Sequence, residues 1–247
     1  MEWTEERLSS LSTREGYRLR GESMTRIEVF SDAAFAFAVT MLVLSWSSIP
    51  QNFDDIIAAM KGIPSFAASF AIITVIWVEH RRWSQRFGLD DGISTLLTLS
   101  LVFVVLIYVY PLKLVMDLMF AGFSASWFPS TFEITSGADV AGLVAFFSTG
   151  FCVVALIQLG LYGRVKSMSK ALCLNQLERL QVQKEQLILL VQAIAGFLSA
   201  AFAVIFMSSL GYLAGLVLAL VPIGIPIATH RTRKKIRAIQ AESSGQD

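Results

Sequence analysis

The sequence predicts an all-α integral membrane protein of six transmembrane helices, built as one repeat, with the N and C termini cytoplasmic. Three observations predict it. Of the 247 residues, 55% are apolar and only 16% are charged, whereas soluble domains carry about 25% charged residues. The charges gather in a few clusters separated by long apolar runs, and mean hydropathy is +0.62. Lysine and arginine crowd into alternate clusters along the chain.

A helix crossing a hydrocarbon core about 30 Å thick needs about 20 mostly apolar residues, each adding about 1.5 Å. Six stretches meet that length: residues 29–48, 56–78, 93–116, 140–163, 187–207 and 210–229. No small-residue cleavage pattern follows the first, which therefore reads as an uncleaved span. The second carries Lys61 near its start and Pro64 a little deeper; the third carries Pro111 and Lys113 near its far end. Pro222 and Pro226 lie in the sixth. These prolines predict kinks, because proline lacks the N–H that an interior helical position needs. Only Ser208 and Ser209 separate the last two spans, which predicts a tight antiparallel hairpin. The polar stretch 166–185, with Leu172, Leu177, Leu180 and Val182 interspersed, predicts a helical extension of the fourth or fifth span. Residues 1–25 read as a cytoplasmic segment, 26–237 as the six-helix domain and 238–247 as a disordered tail.

Orientation follows from the loop cations. Arg7, Arg14, Arg18, Arg20 and Arg26 precede or open the first span, and Arg81, Arg82 and Arg86 follow the second. Arg164, Lys166, Lys170, Arg179 and Lys184 follow the fourth, and Arg231, Arg233, Lys234, Lys235 and Arg237 follow the sixth. With six spans, these 18 of the 20 basic residues share one side, leaving Lys61 and Lys113 for the other. The basic side is then cytoplasmic and the membrane the cell (inner) membrane. Trp46 and Trp127 fall where outer-interface aromatics belong, and Trp83 where an inner one does.

Little in the chain suggests enzymology. Cys152 and Cys173 are too few and too far apart for a disulfide framework, and His80 and His230 form no metal cluster. There is no P-loop, and no Ser or Cys has a His–acid partner at interpretable spacing. A net charge of +1 gives no reason to expect a nucleic-acid partner. No cofactor is expected. The centres of spans two to six carry no carboxylate, which counts against an ion-coupled transporter.

The unusual stretch opens the first span, where Arg26, Glu28 and Asp32 enter the inner end of a membrane helix. A carboxylate at that depth is costly unless it is paired and hydrogen-bonded. The second span ends Trp77-Val-Glu79-His80 at the same level, so Arg26, Ser31, Asp32 and His80 predict an inter-helix polar clamp. Beyond Asp32 the helix is uncharged. At 100° per residue, Phe37, Met41 and Leu44 fall within about 60° of one another, Thr40 lies about 60° from Phe37, and Asp32 points about 140° away. From spacing alone such a stripe is ordinary helix packing.

The run Arg26-x-x-x-Phe30-Ser31-Asp32, continued by Ala-Ala-Phe35-Ala-Phe37-Ala-Val-Thr40-Met41-Leu-Val-Leu44, resembles the first helix of the endosomal/lysosomal potassium channel family, transmembrane protein 175. Trp77-x-x-His80 and Pro111 add to the likeness, and six spans fit the single-repeat prokaryotic form. The resemblance implies a homotetramer in membrane lipid, permeable to K+ and other monovalent cations, with four copies of the first helix around the pore. By that resemblance Phe37, Thr40, Met41 and Leu44 form an apolar constriction, while Arg26, Phe30, Ser31, Asp32, Trp77 and His80 form the polar clamp. Phe37 departs from the family's usual Ile or Leu, and Met41 from its frequent Leu, so the ring would be tighter. Two other readings stand beside the channel: a non-conducting structural or regulatory protein on the same fold, and a secondary transporter.

Overall fold

The computed structural model describes residues 3–21, 23–44, 51–130 and 132–244; Trp46 and the end of the expected first span lie outside them. Among the described residues, six helical segments are long and apolar enough to cross a membrane. A short helix α1 (Glu5–Ser9) and a two-stranded hairpin, β1 (Thr13–Arg14) with β2 (Tyr17–Arg18), precede them. The long helices are α2 (Arg26–Leu44), α4 (Ile63–Phe87), α5 (Gly92–Phe123), α6 (Gly137–Ser167) and α7 (Gln176–Ile205), with short α3 (Phe53–Lys61) before α4. The sixth span is composite: a 3-10 turn (Gly211–Ala214), α8 (Gly215–Leu218) and α9 (Val221–Ser244).

Side chains of the local sequence close the helix starts, where backbone N–H groups lack partners. Asn52 caps α3, Asp91 caps α5 and Asn175 caps α7, and Ser136–Asp139 and Asn175–Glu178 are reciprocal capping boxes. Helix α4 ends at Gly88, whose φ of 56° is left-handed; a Cβ there would lie 2.8 Å from the Arg20 carbonyl oxygen. Close packing of α6 on α7 depends on Gly196, where a Cβ would fall 2.9 Å from that of Cys152. Helices α2, α4 and α5 form one three-helix unit and α6, α7 and α9 another, joined through α5 and α6.

Several expected boundaries move. The second span does not begin near residue 56: the chain breaks at Gly62, so Lys61 ends α3. Pro64 then opens α4 instead of kinking it, because a first-turn residue has no intrahelical N–H bond to lose. Pro222 likewise sits at the start of α9, after a break at Ala219 and Leu220, while Pro226 lies inside the helix. Helix α9 continues to Ser244, past residue 238, where loss of order was expected. The polar stretch after α6 forms turns up to Leu174 and then the first turns of α7.

The largest shift concerns α5. It runs to Phe123, so Lys113 and Asp117 lie within the helix and are buried, where the sequence had suggested its outer margin and the loop beyond. Lys113 Nζ meets the two Asp117 oxygens at 2.5 and 2.6 Å, and Ser65 Oγ of α4 also donates to Asp117.

At the opposite end, the N-terminal segment folds as a cap over the bundle. Glu178, with none of its side chain exposed, accepts Arg20 at 2.8 and 3.0 Å and Arg18 at 3.0 Å. Arg20 Nε donates to Leu172 O at 3.0 Å, and Gly21 N donates to Gln85 O at 3.0 Å. Arg86–Glu15 at 2.6 Å and Arg164–Asp91 at 3.0 Å complete the ties. Three of the four basic clusters thus converge on one end. Lys61 stacks over Trp127, 5.2 Å from the ring centre, at the other.

Candidate functional site

Helix α2 has two unlike faces. Ser31, Phe35, Ala38 and Leu42 are buried at spacings of four, three and four, the pattern of one helical side, and pack on α4 and α5. On the opposite side, among the described residues, Ala33, Ala36, Phe37, Thr40, Val43 and Leu44 are exposed, with Phe37 at 55% and Leu44 at 67%. No charge lies on that stripe. Thr40 Oγ1 donates to Ala36 O at 3.0 Å, so its oxygen lone pairs remain available along the open face. Met41 is placed differently from its expected neighbours. It is half-buried on the flank of α2 and touches the core. The residues facing outward are therefore Ala33, Ala36, Phe37, Thr40, Val43 and Leu44, of which Ala33, Phe37, Thr40 and Leu44 form a row spaced four, three and four.

The polar residues at the base of α2 divide among several partners instead of forming one cluster. Trp77 Nε1 donates to Asp32 Oδ1 at 2.7 Å, tying α2 to α4. Ser31 Oγ donates to Glu28 O of its own helix at 2.9 Å. His80 is buried between the rings of Phe35 and Trp83 and shares a 3.1 Å hydrogen bond with Thr98 of α5. Arg26 and Phe30 are exposed, and Arg26 makes no ion pair with Asp32. The second tie from α2 to α4 runs through Glu28, which accepts from Ser84 Oγ and from Thr25 N, the latter at 2.5 Å. Glu28 N in turn donates to Thr25 Oγ1 at 3.3 Å, which makes Thr25-x-x-Glu28 a capping box. That motif is visible in the sequence and is the signal that marks Glu28. Among the described residues, no group of three or more His, Cys, Asp or Glu side chains could hold a metal ion.

The profile of the endosomal/lysosomal potassium channel TMEM175 family matches residues 26–111, which include α2, α4 and Pro111 of α5. The fold as a whole is similar to a crystal structure of the potassium channel MtTMEM175, a T38A variant in complex with a nanobody–MBP fusion protein. That likeness has a TM-score of 0.78 at 30% identity and covers 91% of this chain and all of that one. The chain belongs to the TMEM175 family. A potassium channel of Marivirga tractuosa is 50% identical over 97 residues, 39% of each chain. One from Chamaesiphon minutus is 38% identical over 65 residues, 23% of this chain and 32% of that one. The chain thus matches less than half the length of these two potassium channels.

The tie from Asp32 to Trp77 is directly testable. In Trp77→Phe the half-buried carboxylate loses its donor, and an unmet buried polar group costs about 1–3 kcal/mol. Thermal melting of the purified protein should fall, while Asp32→Asn, which keeps an acceptor oxygen, should fall less. Equal melting of Trp77→Phe and the parent would remove the tie from the account.

Proposed function

We propose that the chain forms a homotetrameric, potassium-permeable cation channel of the cell membrane in which α2 of each subunit lines the pore. The observation that carries this reading is the uncharged stripe of Ala33, Phe37, Thr40 and Leu44, which is exposed among the described residues. Four such stripes around an axis would give two rings of large apolar side chains, at Phe37 and Leu44, with Thr40 hydroxyl oxygens between them. Apolar rings gate by excluding water, and oxygen lone pairs replace part of an ion's hydration shell. The relatives named as potassium channels support K+ as the permeant ion. No cofactor takes part.

Purified protein in potassium-loaded liposomes should release K+ down its gradient, with slower release of Na+. Absence of flux from correctly assembled tetramers would favour a non-conducting member of the family, with Phe37 as its plug. Flux that required a counter-substrate would favour a transporter.

In this reading both termini are cytoplasmic, which the three basic clusters gathered at the capped end of the bundle support. With Cys152 and Cys173 replaced, a cysteine at the exposed Glu133 should react only from outside and one at the exposed Gln176 only from inside. Reaction of both from one side would overturn the orientation.

A further inference from the structure

A groove of about 480 Å³ runs between α4 on one side and α6 and α7 on the other, away from the open face of α2. Its wall is apolar through the middle of the bundle, formed by Ile72, Val75, Ile76, Phe147, Phe151 and Val154. The ring of Tyr108, stacked on Phe147 with centres 5.5 Å apart, closes its floor. Towards the capped end the lining turns polar, with Glu79, Gln158, Tyr162 and Glu185 around Trp83. From Phe147 to Tyr162 the groove follows α6 for about 22 Å.

Two donors at the polar end lack acceptors. Trp83 Nε1 has no hydrogen-bond partner, and the Tyr162 hydroxyl, which lies within hydrogen-bonding reach of the Arg86 guanidinium, has no acceptor for its own proton; both side chains are more than nine-tenths buried. Buried donors are nearly always paired, so a pair facing one cavity points to an absent acceptor. The charges at that end are of both signs. Glu79 pairs with Arg82 at 2.8 Å and Glu185 with Lys184 at 3.0 Å, each through one oxygen, which leaves each carboxylate a second oxygen.

We propose that this groove holds one acyl chain of a phospholipid whose headgroup carries a primary ammonium. The chain would lie along Ile72, Val75 and Phe151. The ammonium would sit between Glu79 and Glu185, and phosphate or ester oxygens would accept from Trp83 and Tyr162. Water can satisfy the polar end but gains nothing along the apolar length. A headgroup of net negative charge would meet the two carboxylates unfavourably. A quaternary ammonium has no N–H to donate to them. The proposal rests on the membrane reading of the six spans and is independent of ion conduction.

The test is native mass spectrometry of the purified protein titrated with phosphatidylethanolamine, phosphatidylcholine or phosphatidylglycerol of identical acyl chains. The primary amine lipid should be retained about tenfold better than the choline lipid, a difference of about 1.4 kcal/mol. The double variant Glu79→Gln, Glu185→Gln should erase that preference while keeping general retention. Val75→Trp should fill the groove and lose both lipids; Val75 is 60% exposed, so the larger ring does not disturb the core. Equal retention of ethanolamine and choline lipids by the parent, or preference for the glycerol lipid, would overturn the headgroup assignment. Undiminished retention in a folded Val75→Trp protein would overturn the groove itself. Should Val75→Trp fail to fold, an unchanged headgroup preference in the glutamine variant would overturn the proposal by itself.

Discussion

Phe37→Ala is expected to raise potassium flux into liposomes by at least about tenfold, equivalent to removing about 1.4 kcal/mol from the barrier. Four phenyl rings at one level keep a narrow passage dry, and four methyl groups leave room for water. The subunit itself should tolerate the change. Phe37 is 55% exposed within its own chain and lies outside the buried Phe35–Ala38–Leu42 row, so its removal opens no buried core position. Surface substitutions of this kind stay within about 0.5 kcal/mol. Met41→Asn should behave differently. That side chain rests partly on the core, so a polar group there should lower melting before it changes flux. If Phe37→Ala instead melts several degrees lower with flux unaltered, the uncovered stripe is a packing surface and α2 does not line a pore.

Glu178→Ala is expected to remove about 3–5 kcal/mol of stability, because it leaves buried positive charge uncompensated. The carboxylate accepts from the Arg18 backbone, both guanidinium groups of Arg18 and Arg20, and the Asn175 backbone. Arg20 and Glu178 each have none of the side chain exposed. Denaturation followed by tryptophan fluorescence, with proteolysis of the first 21 residues as a second readout, should show the cap released before the bundle melts. Glu178→Gln keeps an acceptor but not the charge and should fall between the two. Cap and melting both unchanged in Glu178→Ala would show the pair to be dispensable.

The six spans were legible because lipid imposes a simple demand on sequence. Every crossing helix must be long and apolar, and the loops must carry the charge. What was not legible depends on partners distant in sequence. Lys113 and Asp117 look like loop residues because each is polar alone. Only their mutual contact, with Ser65 brought in by α4, lets α5 continue through them to Phe123. The break at Gly62 was hidden because α3 is apolar enough to pass for the start of a span, although none of its residues is buried. At the site, periodicity showed which α2 residues share a side but not that the side is open, and depth-matching brought the end of the second span beside Asp32 but named Arg26 and His80, not Trp77, as its partners. The choice between Trp77 and His80 as the partner of Asp32 could not be read, because Thr98 of a third helix takes His80. Nor could spacing decide that Met41 leans to the core and Ala33 to the open face. Both lie about 40° from Phe37, on opposite sides.

The cap over the basic end also sets an order in time. Arg20 leaves the ribosome early, yet its partner Glu178 follows 158 residues later. At typical synthesis rates that gap lasts on the order of ten seconds. During it four hydrophobic spans enter the bilayer while Arg18 and Arg20 have no carboxylate to close on. The N-terminal arginines are therefore free to act as topological signals throughout the insertion of the first spans. They are withdrawn into the protein only when the fifth helix begins.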